Sequence, residues 1–169
     1  MKLKIMPLMM TLLLVIAVLA AGCVGQSGTQ AGTGTPGGSA AITYKTFSDG
    51  VYSTEYPDWP ADPQATPEKI ISVTDGRTCI YSLTNGTVPG GNLSAFMSMA
   101  KQEFENENST VTLEQASDTR GLITVSSAPI EIKFYFMSCG DVAYSIALFC
   151  GNGVIPEGLM DKVLASRCL

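Results

Sequence analysis

Ile130-Glu131-Ile132-Lys133-Phe134-Tyr135-Phe136 is followed, across Ser138-Cys139-Gly140-Asp141, by Val142-Ala143-Tyr144-Ser145-Ile146-Ala147-Leu148-Phe149-Cys150, and the fold is read from this pair of runs. Successive residues of a strand point to opposite faces. In the first run Ile130, Ile132, Phe134 and Phe136 share one face while Glu131, Lys133 and Tyr135 share the other, which predicts a half-buried strand. The second run is apolar on both faces, with the small residues Ala143, Ser145 and Ala147 together on one of them. It is expected to be a central strand covered on both sides, its small-residue face admitting a helix at close range. So short a connection demands antiparallel pairing.

Upstream, residues 111–115 and 122–125 read as two more strands around the turn Ser117-Asp118-Thr119-Arg120-Gly121. Before them Leu93, Phe96, Met97, Ala100 and Phe104 recur at helical spacing, and Asn92 is placed to cap the helix they define. Residues 69–75 and 77–83 read as strands joined at Asp75-Gly76, a strong hairpin signal. Residues 44–47 and 51–56 form another candidate pair, turned at Ser48-Asp49-Gly50 and stopped by Pro57. Downstream, Gly151 and Gly153 end the central strand. Pro156 suits a first helical turn, and Leu159, Met160, Val163 and Leu164 give a final helix its buried stripe. This order predicts an α+β fold, an antiparallel sheet with helices packed on both faces.

The chain begins differently. Lys2 and Lys4 precede an apolar run over residues 5–20, roughly 16 residues against the roughly 20 that a membrane-crossing helix needs. Leu19-Ala20-Ala21-Gly22-Cys23 then reads as a lipobox, with small residues where a signal peptidase must approach the backbone. Residues 1–22 are thus expected to be a signal peptide and Cys23 the lipidated residue. Residues 23–41, rich in Gly, Ser, Thr and Gln, cannot bury enough apolar surface to fold and are expected to be a flexible tether. Residues 42–169 are left as the globular domain. The location that follows is the extracytoplasmic face of the cell membrane, with the membrane as partner through the lipid.

Composition narrows the chemistry. The 169 residues carry 10 basic and 15 acidic side chains, a formal net charge of -5, and no histidine. An acidic chain without a basic stripe repels phosphate backbones, so nucleic acid is not an expected partner. The lack of histidine removes the commonest general base and the commonest metal ligand together. Beyond Cys23 stand Cys79, Cys139, Cys150 and Cys168, an even number, which in an exported domain favours two disulfides with three pairings open. No Cys-x-x-Cys pair occurs and no His can complete a zinc site, so no metal and no cofactor are expected. The carboxylates Asp49, Glu55, Asp58 and Asp62 crowd one region without the fixed spacing of a calcium loop and read as solvated charges.

Phe47-Ser48-Asp49-Gly50-Val51-Tyr52-Ser53-Thr54-Glu55-Tyr56-Pro57-Asp58-Trp59 resembles the opening of PsbP-like domains, where a short strand precedes an aromatic strand ending in Tyr-Pro and a Trp. The late strand and the closing Asp161-Lys162-Val163-Leu164-Ala165-Ser166 are similar to that family's last two elements. The likeness runs over residues 44–169. It implies an antiparallel sheet sandwiched between helices, in proteins that mostly assist or bind rather than catalyse. The best-known members attach to photosystem II, and many relatives are envelope lipoproteins. The matching positions are fold-defining ones, so the resemblance carries over no site residue.

Ser98-Met99-Ala100-Lys101 matches the Ser-x-x-Lys of penicillin-interacting enzymes, but no Lys-Thr-Gly accompanies it, and an ordinary helix accounts for it. No catalytic residues are assigned. Asn85-Gly86-Thr87, Asn92-Leu93-Ser94 and Asn108-Ser109-Thr110 are sequons in expected loops or at helix ends, so Asn85, Asn92 and Asn108 are glycosylation candidates. The sequence thus predicts a non-enzymatic accessory or binding module with an envelope protein as possible partner. An alternative is a small-ligand-binding lipoprotein serving a transporter, its pocket lined by Tyr52, Tyr56 and Trp59. A third is a small envelope hydrolase working through paired carboxylates.

Overall fold

The computed structural model describes residues 41–88, 92–106, 109–127 and 130–169. Strand β1 (Tyr44–Ser48) turns at Asp49-Gly50 into β2 (Tyr52–Pro57). Gly50 takes a left-handed φ of 89° there, and the Asp49 carboxylate accepts from the Val51 and Tyr52 amides at 3.0 and 2.9 Å, which fixes the turn. After a proline-rich connection come β3 (Ile71–Thr74), β4 (Cys79–Gly86), helix α1 (Leu93–Asn106), β5 (Thr110–Ala116), β6 (Arg120–Ser127), β7 (Ile130–Cys139) and β8 (Val142–Cys150). Helix α2 (Leu159–Leu164) and the two-residue strand β9 (Arg167–Cys168) complete the order.

Two antiparallel sheets result. The larger runs β3-β4-β8-β7-β6-β5 and the smaller β1-β2-β9. Strand β8 is interior, as its apolar faces predict, and pairs with β4 on one side and β7 on the other. The β7–β8 connection is the two-residue hairpin Gly140-Asp141, made possible by Gly140 at φ 64°. The turn between β3 and β4 is longer than an Asp-Gly hairpin. Asp75 Oδ1 accepts from the amides of Arg77, Thr78 and Cys79 at 2.8–2.9 Å, and this nest sets the loop length.

The expectation of helices on both faces is corrected. Helix α1 lies on β5, β6 and β7, where Phe96 meets Phe136 edge-on and Phe104 stacks on Phe134. Its buried residues are the predicted Leu93, Phe96, Met97, Ala100 and Phe104, each large side chain contributing about 1.5–3 kcal/mol through burial. The opposite face of the larger sheet is covered by the smaller sheet together with the short α2. There Tyr52, Leu159 and Val163 pack with Tyr81, Leu83, Tyr135, Met137, Tyr144, Ile146 and Leu148.

Two strand readings change for the same reason. Strand β7 is half-covered only at its start, because Tyr135, Met137 and Cys139 on its second face are buried beneath the smaller sheet. The small residues Ala143, Ser145 and Ala147 of β8 do not receive a helix; α1 sits over its neighbours toward β5, and these three remain half-buried.

Asn92 caps α1 as its position predicts, Oδ1 accepting from the Ala95 amide at 2.8 Å. Replacing it, Asn92→Ala, is expected to lower the midpoint of denaturant unfolding by the equivalent of about 1 kcal/mol with an unchanged m-value. A stability equal to that of the parent protein would show that the cap contributes nothing.

Candidate functional site

An open cleft of about 300 Å³ lies where α2 and the loop before it meet the start of β7. It is lined by Glu131 and Lys133 from the strand, Ile155, Pro156 and Glu157 from the loop, and Met160 and Asp161 from the helix. The loop turns through Gly153 and Gly158, at φ 69° and 76°, so that the backbone folds back on the sheet and α2 begins against it. Lys133 reaches across the strands. Its Nζ lies 3.6 Å from Glu131, 3.5 Å from Glu114 on β5 and 3.3 Å from Thr124 Oγ1 on β6, and Thr124 donates to Glu114 at 2.8 Å. This lysine is fixed by neighbours before any ligand arrives. Chemically the cleft offers one held cation, carboxylates on both walls and an apolar strip, a surface suited to hydrogen bonding with a partner group.

Glu131 and Lys133 were legible only as the polar face of a strand. The alternation did carry the signal that two charges sit on a face whose next residues, Tyr135 and Met137, are core. Nothing in the sequence placed the loop over residues 153–158 opposite them.

The aromatic candidates lie elsewhere. Tyr52 is fully buried and stacks on Tyr144 with ring centroids 4.1 Å apart. Tyr56 and Trp59 are half-buried and pack against the same core, Tyr56 tilted over Tyr81 at 6.3 Å. None of the three lines the cleft. Around them is a polar cluster within the core: Thr54 Oγ1 and Ser166 Oγ are 2.8 Å apart, and Ser166 donates to the Val163 carbonyl at 2.6 Å. Among the described residues the hydroxyls of Tyr52, Tyr81 and Tyr135 are buried with no hydrogen-bond partner. Thr54 and Ser166 lie beside Tyr52, near enough to favour its anion slightly, but outside hydrogen-bond geometry. Burial dominates and pushes the tyrosine pKa values up.

Tyr144 differs because its ring is buried while its hydroxyl emerges at exposed Asp49, to which it donates at 2.5 Å. Burial and this bond raise the phenol to about 12, and the Tyr144 bond with the turn amides holds the Asp49 carboxyl below its usual range. Of the other clustered carboxylates, Glu55 and Asp58 lie at the surface in ion pairs, and only Asp62 departs from the reading as solvated charges. Glu55 pairs with Lys162 at 2.7 Å and Asp58 with Lys45 at 2.5 Å. Asp62 is buried against Ser72 Oγ at 3.0 Å. Among the described residues no group of three or more potential ligands could hold a metal ion.

The four cysteines form Cys79–Cys150 and Cys139–Cys168. The first pair is directly opposed across β4 and β8, and the second ties β9 to the end of β7. Ser98 Oγ donates back to the Ser94 carbonyl and Lys101 lies 3.6 Å from Glu105, so the Ser-x-x-Lys residues are each occupied by their own helix. Asn85 lies in β4, not in a loop, opposite Tyr144, and is exposed. Asn92 is the exposed helix cap. Cys23 and Asn108 lie outside the described residues. No helix among the described residues is long and apolar enough to cross a membrane.

No protein-family profile matches the chain, and no curated protein matches its sequence. A solved structure does. The solution structure of cyanobacterial PsbP (CyanoP) from Synechocystis sp. PCC 6803 is similar with a TM-score of 0.51 at 11% sequence identity, covering 81% of this chain and 99% of that one. At that identity the likeness concerns fold alone, and the chain has a PsbP-like fold.

Proposed function

We propose that the chain is a lipid-anchored accessory or binding module on the extracytoplasmic face of the cell membrane, without catalytic activity of its own, which engages an envelope protein. The observation that carries the reading is Leu19-Ala20-Ala21-Gly22-Cys23 placed after a short apolar run and before a Gly- and Ser-rich stretch. Two features of the folded unit support it. The core between the two sheets is filled by tyrosines and aliphatic side chains, and the cleft beside α2 is open to solvent, a form suited to a protein surface rather than to an enclosed small molecule. The transporter-linked reading draws on Tyr52, Tyr56 and Trp59, and those residues are packed into the core or its edge. The hydrolase reading draws on paired carboxylates; Glu131, Glu157 and Asp161 line the cleft, and of these Glu131 pairs with Lys133 at 3.6 Å.

The test is the anchor. In a host that lipidates exported proteins, the full chain is expected in the membrane fraction and released by detergent, while Cys23→Ser is expected in the soluble fraction with the same circular dichroism. Membrane association that survives the substitution would remove the lipid from the proposal.

A further inference from the structure

The two disulfides sit in opposite surroundings. Cys79 and Cys150 are 2% and 1% exposed and join neighbouring strands inside the larger sheet. In the other bond Cys139 is 7% exposed, but Cys168 is an exposed residue on a strand of two residues at the edge of the smaller sheet. Little else holds that strand. Tyr52 and Ser53 are opposite Cys168 and Arg167, and the Leu169 amide donates to the Val51 carbonyl at 2.8 Å. Both β9 residues are exposed, as is Leu169. The next firm anchor upstream is buried Ser166, bonded to Thr54 and to the Val163 carbonyl.

We propose that Cys139–Cys168 is a reducible latch, opened by a dithiol reductant of the oxidoreductase class, which releases the segment from Arg167 onward and uncovers the edge of β2. Access decides which sulfur is attacked. An incoming thiolate bonds to Cys168 Sγ, the Cys139–Cys168 bond breaks, and its electron pair leaves on Cys139, which takes up a proton. The reductant's second thiol then attacks its own sulfur in the mixed disulfide and expels Cys168 as the thiolate. The protein disulfide has gained two electrons, and the dithiol has become a disulfide. With the latch open, a two-residue pairing with no buried side chain cannot hold the segment against its regained freedom. The backbone of β2 at Tyr52 and Ser53 is then a free sheet edge. Ser166, α2 and the buried disulfide keep the rest folded.

The oxidised full chain is treated with dithiothreitol under native conditions, and newly formed thiols are alkylated and mapped by mass spectrometry over time. Cys139 and Cys168 are expected to become labelled at least about tenfold faster than Cys79 and Cys150, with far-ultraviolet circular dichroism unchanged in the first phase. Amide exchange on that half-reduced species, and on the double variant Cys139→Ser with Cys168→Ser, is expected to rise in residues 167–169 and along the β2 edge only. Opening of both bonds at one rate, earlier opening of Cys79–Cys150, labelling only with global loss of structure, or a β9 that stays protected after reduction would each overturn the proposal.

Discussion

Removal of the buried bond, Cys79→Ala together with Cys150→Ala, is expected to lower the free energy of unfolding by about 4 kcal/mol, against a total of about 5–15 kcal/mol for a domain of this size. The two cysteines are 71 residues apart, so the bond closes a long loop in the unfolded chain and the loop-entropy estimate is near the upper end for disulfides. Between them in sequence lie α1, β5, β6 and β7, and the pairing of β4 with β8 closes the sheet around that insertion. Without the link, β4 must find β8 across the whole insertion each time the chain folds. The refolding rate is therefore expected to fall with the stability if this pairing forms in the transition state. Equilibrium urea unfolding of the oxidised parent and the double variant measures the first quantity. A difference below about 1 kcal/mol would mean that the unfolded chain already holds these strands together, or that the native pair is no better ordered with the bond than without it.

Which cysteine meets which was not legible from spacing. The register Cys79↔Cys150 is a consequence of β4 pairing along its full length with β8, from that pair to Gly86↔Ala143. That register depends on tertiary packing, with Tyr81, Leu83, Ile146 and Leu148 all turned to one face. What could be read was local. Alternation marks β7, a run apolar on both faces marks β8, the helical repeat marks α1, and Asn92 marks its start, because each signal involves residues within a turn or two of one another. The split into two sheets has no such signal. Strand β2 cannot run on into β3, because Pro57, Pro60, Pro63 and Pro67 keep the intervening chain irregular, and it pairs instead with Arg167 and Cys168 from the far end of the sequence. Two residues have no period to detect. Without a signal for the smaller sheet, the pattern offers only helices for the second covering layer and leaves Tyr52 and Tyr56 available to a ligand. The cleft was half-legible in the same sense, since Glu131 and Lys133 stood out while the loop facing them did not.

Alkali is expected to unfold the protein cooperatively, with the phenolates of its core tyrosines appearing only as structure is lost. Tyr52, Tyr81, Tyr135 and Tyr144 are all at most 3% exposed, and burial raises the pKa of each above the ordinary tyrosine value of about 10. A group whose folded-state pKa is raised stabilises the fold fully below its unfolded pKa and loses that contribution as pH climbs through the folded value. The window therefore opens near pH 10 and, for Tyr144, closes near 12. Within it each tyrosine that stays protonated in the fold but ionises in the unfolded chain costs about 1.4 kcal/mol per pH unit. Tyr81 and Tyr144, held furthest above the ordinary value, together give about 3 kcal/mol per unit, and Tyr52 and Tyr135 act in the same direction. Asp49 acts at the opposite end: its carboxyl is held low, so its smaller contribution is present above the ordinary carboxylate value and is lost as pH falls through the folded one. Phenolate absorbance and circular dichroism recorded together through an alkaline titration are expected to share one steep transition for these four residues. Tyr81→Phe, which removes a buried hydroxyl but keeps its ring, is expected to reduce the slope of stability against pH by one proton's worth. Phenolate absorbance exceeding that of three of the six tyrosines, reached while the circular dichroism held its native value, would mean that water reaches the hydroxyls of Tyr52, Tyr81 or Tyr135 and that the filled core between the two sheets is not closed.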